Sequence, residues 1–183
     1  QQPATAASSR PPSLRDALAA LSPDSPRPAP VELPSAPAER PARAYLAAGD
    51  DIEAAPSIGP KTAERLIAVG LIKVADLLAA DPERTATAIG LRHITAQTIR
   101  DWQDQARLVM EVAGLRGTHA QLLVGAGFRN AAAVAEADPV ALSAAILAFA
   151  TTREGERVLR SGDAPDIERI RQWIASAATA RAA

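Results

Sequence analysis

The sequence predicts an all-α fold: two copies of one helical unit packed as a single compact domain, preceded by a disordered arm rich in proline and alanine. Three observations predict it. First, apolar residues recur at helical spacing between Asp-Pro starts and glycine stops. Second, the chain overlays itself without a gap at a shift of 57 for some forty residues, which is the mark of an internal repeat. Ile58 falls on Leu115, Ala63 on Ala120, Leu66 on Leu123, Gly70-Leu71 on Gly127-Phe128, Asp81-Pro82 on Asp138-Pro139 and Ile89 on Ile146. Third, ten of the fifteen prolines lie in residues 1–43, where Ser and Ala fill most of the gaps. Such a stretch cannot bury enough apolar surface to offset the entropy of ordering it.

The arm, residues 1–43, holds one island, Ser13 to Leu21, in which Leu14, Leu18 and Leu21 share a helical face and Ser13 is placed to cap it. It reads either as a transient helix in a linker or as a short helix that docks in a partner's groove. Order is expected from Tyr45-Leu46, with Asp50 and Asp51 favouring the start of a short helix through Ala55. A turn at Ser57-Ile58-Gly59 leads into a helix that begins at Pro60, where the missing N–H costs nothing, and that places Ala63, Leu66 and Ile67 on one face before Gly70 stops it. Val74 to Ala80 forms the next helix, and Asp81-Pro82 starts another that runs to Ile89 before Gly90. The longest segment starts near Thr95 and carries Ile99, Trp102, Ala106 and Val109 to about Val112.

Beyond Ile146 the repeat resumes at a shift of 71, which sets Ile99, Arg100, Trp102 and Ala106 on Ile170, Arg171, Trp173 and Ala177. The second copy therefore carries an insertion of 14 residues around Thr151 to Pro165. The two copies span 44–108 and 109–183, and two such units packed face to face cover each other's apolar surfaces. Trp102 and Trp173 are expected in the core.

Composition narrows the function. A net charge of −1 and a pI near 6.2 argue against strong duplex binding, which clustered Lys and Arg dominate, though local patches stay open. The absence of cysteine excludes disulfides, thiolate metal sites and cysteine catalysis. No apolar run approaches a membrane span and no signal-peptide pattern is present, so a cytoplasmic setting is expected. The first residue is Gln rather than Met, from which a longer parent polypeptide is expected.

The stretch Ser57-Ile58-Gly59-Pro60-Lys61-Thr62-Ala63 is a tight turn feeding a helix, and the amides of such a turn point outward together in a way that favours anionic oxygen. Lys61 adds a mobile positive charge. The pattern resembles the hairpin of helix-hairpin-helix domains, Gly-apolar-Gly, three residues, then Ala, whose amides hold a nucleic-acid phosphate without reading bases. Here Ser57 replaces the first glycine, keeping the amide while raising the cost of a positive φ. In the second hairpin, Gly114-Leu115-Arg116-Gly117-Thr118-His119-Ala120, Arg116 replaces the second glycine; its side chain either obstructs a phosphate or grips one. Through Ala55 to Glu64, Ile99 to Ala106 and Gly114 to Gly117, residues 45–183 resemble a bacterial family catalogued only as a domain of unknown function with two helix-hairpin-helix units.

The resemblance implies a non-catalytic module that binds DNA without sequence preference. Its contacts are expected from Ser57, Ile58, Gly59, Lys61, Thr62 and Arg65 at the first hairpin and from Gly114, Arg116, Gly117 and Thr118 at the second. Arg92, Arg100 and Arg129 are read as auxiliary cations. The alternative is a protein-interaction or scaffolding module that keeps the hairpins as architecture. No catalytic constellation is legible: His93 and His119 are the only histidines, far apart, and each reads as a solvated or packing residue. Asp50-Asp51 and Asp101 with Asp104 read as helix-start and surface charges, and nothing has metal-ligand or cofactor spacing.

Overall fold

Asp, Thr or Asn precedes six of these helices, and the positive-φ glycines Gly70, Gly90 and Gly127 follow the ends of three, so many boundaries follow from local chemistry. The structure is a computed structural model and describes residues 44–160 and 164–182; the proline-rich arm, with the Ser13 to Leu21 island, lies outside the described residues. Nine α-helices and no β-strand are present among the described residues. They are α1 Pro60–Ala68, α2 Val74–Ala79, α3 Pro82–Ile89, α4 Ala96–Glu111, α5 Gly117–Gly125, α6 Ala131–Ala135, α7 Pro139–Ala150, α8 Arg153–Leu159 and α9 Ile167–Ala182. The expected short helix before the first hairpin is a single 3-10 turn, Ile52–Ala54. Its aspartates work elsewhere: Asp50 accepts from the Ala47 amide at 2.8 Å, and Asp51 pairs with Lys73 at 2.6 Å.

α1 and α5 are each nine residues long and begin 57 positions apart, at Pro60 and Gly117. α4 and α9 are each sixteen long and begin 71 apart, at Ala96 and Ile167. The stretch around Thr151 to Pro165, where the sequence registers change, follows the end of α7 at Ala150 and holds α8. Gly155 in α8 has no room for a side chain, since a Cβ there would overlap the Phe149 carbonyl.

α4 organises the packing, lying against α2, α3, α5 and α6. One apolar core runs from Leu46 to Ala177 and includes Trp102 at 7% exposure and Trp173 at 2%. In α1, Ala63 and Leu66 are buried, whereas Ile67 is 48% exposed. A four-residue step from Ala63 overshoots a full turn by about 40°, which carries Ile67 past the edge of the buried stripe.

Candidate nucleic-acid interface

The turn before α1 is fixed from both sides. Ile52 donates its amide to the Ile72 carbonyl at 2.9 Å and Val74 donates to Asp50 at 3.0 Å, so the segment before the hairpin is tied to the start of α2. Lys73 is raised above its ordinary value by its hydrogen bond to Asp51, and Asp76 is lowered by the Lys73 and Ile72 amides that donate to it. Within the turn, Ser57 has φ +65°, the one positive φ outside glycine among the described residues, and its hydroxyl donates to Gln105 Oε1 at 2.7 Å. That bond latches a backbone conformation that side chains disfavour.

Helix starts set the two hairpins apart from the remaining helices. Asp81, Thr95, Asn130, Asp138, Thr152 and Asp166 each accept a hydrogen bond from a first-turn amide of the helix they precede. α2 differs, its Asp76 carboxylate turning back to the Ile72 and Lys73 amides at 2.9 and 2.8 Å. α1 starts on Gly59 and α5 on Arg116, and neither residue offers a side-chain cap. The amides of Gly59 and Lys61, and those of Arg116, Gly117 and Thr118, have no acceptor among the described residues. Amides left open at a helix start carry the positive end of the helix dipole.

The expected contact residues separate on this geometry. Ser57, Gly59, Lys61, Arg65 and Arg116 are exposed, while Thr62, Gly114, Gly117 and Thr118 are half-buried. Ile58 is a core residue at 5% exposure, and its amide donates to the Ala55 carbonyl at 3.2 Å, so neither its side chain nor its amide is available. Gly59 has φ −91° with nothing within 4 Å of a built Cβ, so that position is open rather than strained. Arg116 holds a matching conformation, φ −92°, and its guanidinium lies 5.6 Å from the centre of the Tyr45 ring. The hairpins adjoin: a Cβ at Gly117 would come within 3.4 Å of Pro56.

Two of the expected auxiliary cations are committed to the fold. Arg100 pairs with Glu83, and Arg129 holds both Asp101 and Asp104, the latter at 2.7 Å. Asp101 and Asp104 are accordingly half-buried partners of Arg129 rather than free surface charges. Lys61, Arg65 and Arg92 form no ion pair among the described residues. His93 is exposed, and His119 packs on Trp173 with ring centres 4.8 Å apart. Among the described residues no helix is long and apolar enough to cross a membrane, and no three His, Cys, Asp or Glu side chains gather as a metal site.

A comparison with protein families matches residues 56–180 to the family described as Domain of unknown function (DUF4332). The chain belongs to the DUF4332 family. The matched region opens at Pro56, beside the first hairpin, and takes in the starts of all nine helices found among the described residues. Comparisons with curated proteins and with solved structures each found no match. A polar cleft beside Ser57, lined by Gln105, Gln121 and Glu154, had no motif in the sequence to announce it. Its trace there is Gln105, a polar residue within the buried stripe of an otherwise amphipathic segment.

Proposed function

We propose that this DUF4332 domain is a non-catalytic, sequence-independent DNA-binding module built from two helix-hairpin-helix units, 44–108 and 109–183, within a larger protein. The observation that carries this reading is the pair of uncapped helix starts. Among the described residues, six helices cap one or two first-turn amides with the side chain of the residue before them, and α2 gives its first two amides to the Asp50 and Ala48 carbonyls; the two helices with neither arrangement, α1 and α5, lie side by side at the hairpins. Amides arranged this way suit phosphate oxygens and carry no base preference. Lys61 and Arg65 supply counter-charge at the first site and Arg116 at the second.

A scaffolding role has its own support. The pairing of Arg100 and Arg129 leaves few uncommitted cations near the hairpins, and the Pro56–Gly117 packing uses hairpin residues for architecture. The two readings part on a salt titration of binding to short duplex and single-stranded DNA, comparing the wild type with Lys61→Glu. The DNA reading expects affinity to fall as salt rises, and the charge reversal to weaken binding equally for every sequence while lowering the salt slope by about 1. Absence of binding at low salt, or indifference to the reversal, would leave the scaffold.

A further inference from the structure

Two buried glutamines on α4 differ in how fully they are used. Gln103 is 6% exposed, and its Nε2 donates to the carbonyls of Leu77 and Ala80 at 2.8 and 2.9 Å, closing the end of α2. Gln105 is 7% exposed, and its Oε1 accepts from Ser57, while its Nε2 donates to no group among the described residues. Gln105 lines two adjoining clefts of ≈ 280 and ≈ 390 Å³. Both clefts are shared by Ser57, Asp101, Gln105, Gln121, Glu154 and Val158. An amide donor on the wall of an open cleft, with no partner among the described residues, is a group free to meet an acceptor from outside.

The cleft is held in shape before any ligand arrives. Asp101 is fixed by Gln97 at 2.8 Å and by Arg129, and Ser57 by Gln105. Phe149 gives one part an aromatic wall and Trp102 bounds the other. The outer wall is α8, which belongs to the insertion. Glutamine amides pair with base edges, a carboxylate accepts from a base amino group, and apolar or aromatic walls receive a base's faces. The volume lies in the range of small-ligand sites. Ser57 also belongs to the turn that ends at Gly59, two residues and at most about 7 Å of backbone away. The cleft therefore lies within one nucleotide's reach of a phosphate held on the hairpin.

We propose that this cleft receives one unstacked base of a single DNA strand whose phosphate rests on the first hairpin, an inference that rests on the DNA reading above. The test measures, by fluorescence anisotropy on the full 183-residue chain, binding to a short single strand, to an abasic strand of equal length and to a blunt duplex. The base-bearing strand should bind about tenfold tighter than the abasic one, as expected for one seated base. Gln121→Ala and Glu154→Ala, checked for fold by circular dichroism, should close most of that gap without changing abasic affinity. Lys61→Glu should weaken all three ligands alike. Equal binding of base-bearing and abasic strands by the wild type, or a gap that survives both cleft substitutions, overturns the cleft while leaving the DNA reading in place. No binding to any of the three removes both.

Discussion

The first and second hairpins share a backbone and differ in what holds it. At the first pattern position Ser57 and Gly114 both have positive φ, +65° and +80°. At the second, Gly59 and Arg116 both have extended backbone, φ −91° and −92°. The two glycines of the pattern therefore answer different needs. The first supplies a left-handed turn, which a serine can take only with the help of the Gln105 latch. The second supplies open space in front of the amides, so Arg116 occupies it without strain and changes only what a ligand would meet. Geometry is kept in both hairpins, whereas access is unobstructed by a side chain only at the first.

Backbone substitution breaks the comparison most strongly. Gly114→Val should cost about 2–3 kcal/mol, since a β-branched residue at positive φ is badly placed, while Gly59→Val should cost under about 1 kcal/mol; urea unfolding of the two variants checks both. If φ is the deciding difference, the two values separate, and near-equal losses would sink the distinction. Gly59→Val should nonetheless weaken DNA binding if the DNA reading holds, since its side chain covers the open amides of the first hairpin.

The latch gives the next effect. Ser57→Ala keeps the disfavoured φ, loses the hydroxyl and leaves Gln105 Oε1 without its donor, so a loss of about 1–2 kcal/mol is expected. Ser57→Gly loses the same bond but relieves the backbone by about 1 kcal/mol, and should come out near neutral. A larger loss for Gly than for Ala in thermal melts would show that the latch does not compensate strain.

The smallest effect concerns pH. The carboxylate of Asp76 titrates below its ordinary value of 3.8 because the Lys73 and Ile72 amides donate to it. A group whose folded value is depressed contributes stability that is present above the ordinary value and lost as pH falls through the folded one. The corresponding helix of the second half, α6, is capped by the neutral Asn130, which adds no such dependence. Asp76→Ala should therefore lower the melting temperature at neutral pH, with the difference from the wild type closing below pH 3.8. A difference constant with pH would mean that the carboxylate's charge plays no part.

Much of the fold is legible because its signals are local. Asp81-Pro82 gives the start of α3, Gly90 its end, and Thr95 the start of α4, each through its own side chain or backbone freedom. Long-range partnership is where sequence reading ran out. Nothing adjacent to Asp101 or Asp104 announces that Arg129 will lie across them, and Asp51 looks like a helix-starting residue until Lys73 is seen beside it. At the site, the amides and Lys61 could be read from the turn pattern. The commitment of the Ile58 amide and the cleft behind Ser57 depend on how α4, α5 and α8 meet, which no spacing encodes.

The placement of α4 carries one more consequence. A helix that lies against α2 and α3 on one side and α5 and α6 on the other is interior to both halves. Neither half can melt without uncovering Trp102, Leu108 and Val109. Cutting the chain in the loop after Glu111 would strip that helix of half its cover, so the fragment ending there would expose an apolar seam instead of standing as a minimal hairpin unit.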